Sequence, residues 1–137
     1  MRAFFVNQEG KEYNKNFFIG PSIIGAYTSL LTNKRNKIAQ QALTECAGYK
    51  ASYDAITQLY DTHQDIERLS RKIAEHYFLE KEKKELEIAL LDADKRYFIL
   101  QEEYPDLEQK IPQYHIASYL SISPTQLSRI RRKLSGY

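Results

Sequence analysis

The stretch Gln113–Leu134, QYHIASYLSISPTQLSRIRRKL, most constrains what this chain can fold into. Its apolar residues recur at helical spacing in two short runs, and a Ser-Ile-Ser segment separates them. Ser123 suits the N-cap of a helix, and Pro124 suits the first helical turn, where a missing N–H has no consequence. The spacing therefore predicts two short helices joined by a sharp turn.

The residues at the predicted turn match what a close helix crossing requires. Ala117 is small where the two helices would touch, and Ile122 is the apolar residue inside the turn. Ser121 stands where such turns usually carry Gly, although Ser tolerates a left-handed backbone less well. The pattern predicts a helix-turn-helix.

The second predicted helix has two unlike faces. At about 100° per residue, Leu127, Ile130 and Leu134 share one face. The opposite face is polar or basic and carries Thr125, Ser128, Arg129 and Arg132, with Arg131 and Lys133 on the flanks. Residues 113–137 hold four basic side chains and no acidic one, whereas a solvated helical face usually mixes signs. An ordinary amphipathic hairpin is the alternative, and the charge pattern favours a DNA-reading helix over it.

Overall charge is uninformative, but its distribution is not. The net charge is +2, and it divides into +2 for residues 1–61, −3 for residues 62–104 and +3 for residues 105–137. The basic excess at the end falls on the proposed reading helix. No apolar run approaches the roughly 18 residues of a membrane span, and no signal peptide is evident. We therefore expect a cytoplasmic protein without a membrane partner.

Catalytic and metal-binding patterns are not evident in the sequence. Cys46 is the single cysteine, so neither a disulfide framework nor a thiolate metal cluster is expected. His63, His76 and His115 are scattered and lack metal-ligand spacing. We interpret His115 as a helix-surface or phosphate-contacting residue. The prediction is a protein that is not an enzyme, with no metal and no cofactor.

The preceding chain predicts a mixture of strands and helices. The predicted elements before residue 62 are strands Arg2–Val6 and Glu12–Ile19, a helix Ile23–Leu31 capped by Ser22, strands Ile38–Leu43 and, more weakly, Cys46–Ala51, and a helix from Ser52 or Tyr53 to Asp61. Residues 89–104 should continue helical, with a bend near 92–94, and the helix should end at Tyr104-Pro105. Its core candidates are Tyr97, Leu100 and Tyr104.

A long helix is predicted from Thr62 to Leu90. Ile66, Leu69, Ile73 and Tyr77 lie on one stripe of it. The stripe admits two interpretations, a solvated surface helix or a dimerisation helix that pairs with a second copy. We favour the dimer, because helix-turn-helix proteins usually read paired half-sites.

The order of these parts resembles the Crp/Fnr family of bacterial transcription regulators. The resemblance is strongest in the run IPQYHIASYL…SPTQLSRIR, which is similar to the DNA-binding end of a compact branch common in Bacteroidetes. It implies an α+β fold in which a partial cyclic nucleotide-binding-like β-roll (1–61) precedes a dimerisation helix (62–90) and a helix-turn-helix domain (91–137). Family members carry a further upstream segment, so the resemblance implies a chain truncated at its N-terminus.

The resemblance also implies functional residues. DNA contacts would come from Gln113, Ser123, Thr125, Gln126, Ser128, Arg129, Arg132 and Lys133, with Arg129 as the base-reading residue. A vestigial ligand site would involve Ser22, Gly25 and Lys37, but the family's nucleotide-binding Glu and Arg are absent there. Cyclic nucleotide is therefore not expected as a cofactor.

The partners implied are double-stranded DNA, a second copy of the chain as a homodimer and RNA polymerase. The alternative from another class is a helical protein–protein interaction module without specific DNA binding.

Overall fold

The computed structural model describes residues 1–136 of the 137-residue chain and has a mixed α+β fold. The mixed class predicted from the sequence is confirmed at that level of detail. The chain divides into two compact units. One unit combines Met1–Cys46 with the chain from Ala93 onward, and the other is Ala47–Asp92. The sequence analysis predicted the consecutive segments 1–61, 62–90 and 91–137, whereas the first compact unit combines residues from before and after the second unit.

A three-stranded antiparallel sheet forms the N-terminal part of the first unit. Strands β1 (Arg2–Val6) and β2 (Glu12–Phe17) make the predicted hairpin, and β3 (Ala39–Gln41) pairs with the other edge of β1. Gly10 allows the tight hairpin turn because its φ of 81° is one that residues with a Cβ rarely adopt. The strand predicted over 38–43 is therefore shorter, and the weaker strand predicted over 46–51 is not found among the described residues.

The first helix starts later than the sequence suggested. Helix α1 spans Tyr27–Thr32, and its N-cap is Ala26, which makes no side-chain capping bond. Ser22 is therefore not the cap that we expected. Asn33 ends the helix in a left-handed conformation, which Asn tolerates better than most residues.

The second unit consists of two helices. Helix α2 (Tyr53–Thr57) is capped by Ser52, whose hydroxyl accepts from the Ala55 N–H at 3.5 Å. Helix α3 runs from Gln64 to Leu90, as the sequence predicted to within two residues. Ion pairs four residues apart, including Arg71–Glu75 and Lys81–Glu85, support a helix that buries none of its residues.

Four helices complete the first unit. They are α4 (Ala93–Glu103), α5 (Leu107–Lys110), α6 (Gln113–Tyr119) and α7 (Pro124–Ser135). The sequence predicted a bend near 92–94, whereas the structure has a break at residues 91–92, where the extended backbone of Leu91 ends α3. Pro105 and Pro112 lie in the breaks on either side of α5, since proline removes a helical N–H and restricts the residue before it.

One hydrophobic core joins the sheet to these helices. The buried residues of the core are Phe17, Tyr97, Leu100, Leu107, Ile111, Ile116, Ala117, Leu120, Leu127 and Ile130. Phe17 is the contribution of β2, and its ring contacts the rings of Tyr104 and Tyr119. The predicted inward positions of Tyr97 and Leu100 are confirmed, and Tyr104 is half-buried against the same core.

Candidate nucleic-acid interface

The turn between α6 and α7 is closed by backbone hydrogen bonds. Ser121 adopts a left-handed φ of 58°. The Ile122 N–H donates to the Ala117 carbonyl at 3.0 Å, and the Ser121 N–H donates to the Ser118 carbonyl at 3.1 Å. This bond pair is the Schellman motif, with Ser121 at the position that usually carries Gly. The two helices are therefore joined by a hydrogen-bonded turn of four residues, 120–123.

Helix α7 starts as its sequence predicts. The Ser123 hydroxyl accepts from the Gln126 N–H at 3.1 Å, and Pro124 occupies the first turn. Such a cap satisfies one of the N–H groups that a helix start otherwise leaves unpaired. Helix α7 therefore begins at the residue that the sequence predicted.

The two faces of α7 differ as expected, with one exception. Leu127 and Ile130 are buried against the core, whereas Leu134 remains 39% exposed near the end of the helix. The predicted DNA-contacting residues at and after the cap are exposed, namely Ser123, Thr125, Gln126, Ser128, Arg129, Arg132 and Lys133. Leu134 is therefore less a core residue than its position on the helical wheel indicated.

Two basic residues of α7 have acidic neighbours in the same unit. Lys133 Nζ lies 2.6 Å from Asp94 Oδ2, and Arg131 Nε lies 3.7 Å from Glu108 Oε1. Both pairs are partly exposed, so each is weak in water. Any phosphate contact by Lys133 would thus compete with Asp94.

The first residues of α6 lie in different environments. Gln113 is half-buried at the first position of the helix, and Tyr114 is exposed. His115 is only 3% exposed, so our interpretation of it as a surface or phosphate-contacting residue is wrong. The reason is a polar cluster between α6 and the sheet that the sequence did not reveal.

Arg2 is at the centre of this cluster. Its Nη1 lies 3.0 Å from His115 Nδ1 and donates to Asn14 Oδ1 at 3.0 Å, and its Nη2 pairs with Glu12 at 2.7 Å. The Arg2 Nε donates to Gln41 of β3 at 2.8 Å. Buried charge requires such partners because burial without them is unfavourable. All three strands are thereby joined to one guanidinium.

Asn14 connects the same cluster to α6. Its Nδ2 donates to the His115 carbonyl at 2.9 Å, and its N–H donates to the Ser118 hydroxyl at 3.0 Å. The Ser118 hydroxyl in turn donates to the Glu12 carbonyl at 3.1 Å. The hairpin is therefore attached to the first helix of the helix pair through polar contacts on one side of α6.

The remaining predicted site residues lie elsewhere. On α3, Ile66, Ile73 and Tyr77 are half-buried, and Leu69 is 57% exposed. Ser22, Gly25 and Lys37 are exposed residues of irregular chain on either side of α1.

Comparisons with known proteins do not assign the chain to a family. A scan against protein-family models finds no match, and a search of curated proteins finds no significant similarity. No helix in residues 1–136 combines the length and the apolar composition that a membrane crossing requires. Function is therefore inferred from the geometry and chemistry of the described residues.

Proposed function

We propose that this protein is a DNA-binding transcription regulator of the Crp/Fnr type, not an enzyme, that reads a palindromic site as a homodimer through α7. One observation carries the proposal: α7 stands on a short, hydrogen-bonded turn and exposes a polar and basic face without an acidic residue. A helix of that kind fits the major groove of duplex DNA, where its side chains reach base edges.

Individual side chains suit different parts of the duplex. Arg129 lies on the exposed stripe of α7 and offers the forked donors that match guanine O6 and N7. Arg132, one turn later, suits a phosphate, and Gln113 at the start of α6 suits the neighbouring backbone. Pro124 cannot read a base edge, so the operator sequence of other Crp/Fnr proteins is not expected to apply.

Support for the homodimer comes from α3. On its predicted stripe Leu69 is 57% exposed in the single chain, and Ile66, Ile73 and Tyr77 are half-buried. A second copy that packed along the stripe of Ile66 and Leu69 would remove this apolar surface from water. Pairing of two chains would also present two copies of α7, as a palindromic site requires.

The proposed regulator differs from ligand-binding members of that family in its sensor region. The resemblance places the nucleotide-binding Glu and Arg in the segment 20–37, and neither is found at the matching positions of this sequence. We therefore propose a partial β-roll that does not bind cyclic nucleotide. RNA polymerase is the further partner, and the cytoplasm is the compartment in which such a protein would act.

The test is selection of duplexes from a random pool, followed by a salt series on the selected site. We expect one palindromic sequence and an affinity that falls steeply with salt, by a log–log slope of about −0.9 for each phosphate contacted. Arg129→Ala should lower the affinity for the selected site by roughly 5- to 150-fold, which corresponds to about 1–3 kcal/mol of binding free energy. A protein that shows no duplex preference at low salt would contradict the proposal.

Matched variants separate base reading from simple charge. Arg129→Lys keeps the charge but loses the fork, so it should relax the preference for one base pair. Arg132→Lys, at a phosphate, should retain most of the affinity and all of the preference. Arg71→Ala removes an equal charge from α3 and should leave the sequence preference unchanged.

A helical protein–protein interaction module is the second candidate. The exposed apolar side chains of α3 favour it, because such surface commonly marks a contact with another protein. It predicts self-association or partner binding with no duplex preference at any salt concentration. Sedimentation analysis of wild type and Leu69→Glu, combined with the duplex selection, distinguishes the two candidates.

A further inference from the structure

The polar cluster between the sheet and α6 contains an ionisable group with an unusual set of neighbours. His115 Nδ1 lies 3.0 Å from Arg2 Nη1 and 3.3 Å from Asn14 Nδ2. Both of these neighbouring atoms are nitrogens that carry hydrogens, and a guanidinium can only donate. His115 Nδ1 must therefore be the acceptor, and the proton of the neutral ring lies on Nε2.

A second proton on this ring has no acceptor at Nδ1. It would face the Arg2 guanidinium at 3.0 Å and the Asn14 amide at 3.3 Å. The docked arrangement of sheet and helix therefore favours neutral His115 over its imidazolium form. Like charges at that distance repel strongly in a site with little water.

Charged and titratable groups reach His115 from strands β1 and β2. Strand β1 contributes Arg2 and strand β2 contributes Glu12, which is already paired with Arg2 at 2.7 Å. Strand β3 contributes only the uncharged Gln41, through Arg2. On α6 itself, the ring centroid of Tyr114 lies 4.2 Å from that of the imidazole. Lys11, which directly precedes β2, lines a groove of about 480 Å³ together with His115.

These groups act on the imidazole in opposite directions. Burial and then the Arg2 charge lower the pKa of His115 from its usual 6.5, while Glu12 raises it. The net effect is a lowered pKa, because the Glu12 carboxylate is 44% exposed to water and is already paired with Arg2. His115 is therefore neutral near neutral pH, as the hydrogen-bond geometry requires.

We infer that Arg2, Asn14 and His115 form a proton-sensitive joint, which holds the three-stranded sheet on α6 while His115 is neutral and releases it when His115 is protonated. Release would remove the Asn14 bonds to the His115 carbonyl and to Ser118, because those bonds cross the same contact. The helix that leads into α7 would then lose the support of the hairpin. The joint needs only contacts within the first compact unit, so it holds whether or not α7 binds DNA.

The sign of the pH effect follows from proton linkage. Undocked His115 binds a proton near its ordinary pKa of 6.5, whereas docked His115 binds one only at lower pH. Between these two values the undocked form carries more protons, so acidification favours it. Docking is at full strength above pH 6.5 and weakens as the pH falls toward the docked pKa.

The experiment uses the full chain with His63→Asn and His76→Asn, which leaves His115 as its single imidazole. Nuclear magnetic resonance of the ring nitrogens should show the Nε2–H tautomer at neutral pH and a pKa below 6.5. In parallel, amide exchange reports the protection of the Asn14 N–H, which is bonded to Ser118. For each unit by which the measured docked pKa lies below the undocked one, this protection should fall about tenfold on acidification.

The outcomes are decisive in either direction. A pKa at or above 6.5, an Nδ1–H tautomer, or Asn14 protection that ignores the His115 titration would each overturn the joint. His115→Asn places a non-titrating acceptor oxygen near the position of Nδ1, so it should keep Asn14 protected from about pH 8 to about pH 5. Persistent acid sensitivity in that variant would also overturn the joint, and if the variant does not fold, the titration of the His63/His76 double variant decides alone.

Discussion

Ser121, in the turn between α6 and α7, is one of two non-glycine residues with a positive φ among residues 1–136. Its φ of 58° is a left-handed conformation, which costs a residue with a Cβ roughly 1–2 kcal/mol. Gly avoids this cost, but it loses more backbone conformational entropy on folding, which costs about 0.5–1 kcal/mol. The side chain is exposed, so its removal leaves no cavity. Ser121→Gly should therefore raise the free energy of unfolding by about 0.5–1 kcal/mol.

Urea denaturation of wild type and variants tests this expectation. Ser121→Gly should raise the urea concentration at the midpoint of unfolding without changing the dependence of the unfolding free energy on urea, which marks a change in stability alone. Ser121→Ala keeps the Cβ and removes the hydroxyl, so it should stay within about 0.5 kcal/mol of wild type. Asn33 is a second left-handed position, with a φ of 52°. Asn33→Gly should raise the free energy of unfolding by less than Ser121→Gly does, because Asn tolerates this conformation better than Ser. If Gly destabilises the protein, or if Ala stabilises it equally, then backbone strain at Ser121 is not the cause.

Two further predictions follow from ionisable pairs in the first unit. Burial and the hydrogen bond to Glu108 raise the pKa of Tyr97 to about 12. In an alkaline ultraviolet titration Tyr97 should therefore ionise near pH 12, and Tyr97→Phe should remove this step. The free energy of unfolding should fall as the pH rises from 10 to 12, because the phenol of the unfolded chain loses its proton at lower pH than that of the folded chain. Asp94→Asn should remove the ion pair with Lys133 and tighten binding to the selected duplex by up to about fivefold, while lowering the free energy of unfolding by less than about 1 kcal/mol. Asp106→Asn, whose partner Lys110 is not on α7, is the matched control, and an equal effect of both changes on duplex affinity would contradict the role of Asp94.

Features that depend on neighbouring residues could be predicted from the sequence. The cap at Ser123, the Pro124 start and the buried positions Leu127 and Ile130 each follow from a few consecutive residues, and the structure contains all four. The left-handed turn residue was also anticipated, because its position relative to the two helices is local. Leu134 lies in the last turn of α7, and helical periodicity alone did not determine its exposure.

Features that depend on distant residues could not be predicted. Arg2 and His115 are 113 residues apart, and nothing in the sequence around either one indicates the other. A polar residue in a short strand, such as Asn14, is ordinarily a surface residue. The inward direction of Arg2 could have been suspected only from the alternation of strand residues, which places it on the same face as Phe4. Phe4 does lie under the Arg2 guanidinium, at 3.8 Å.

The division of the first compact unit between the two ends of the chain has a consequence for folding. The helix pair buries its core against Phe17 of β2, so the core cannot be completed until residues on both sides of Ala47–Asp92 have met. Local contacts let α3 and the sheet form early, whereas the docking of the sheet on α6 must first close a long loop around that segment. We therefore expect folding to be limited by this non-local closure, and a fragment that begins at Ala93 would retain the α6–α7 turn but lack part of its core.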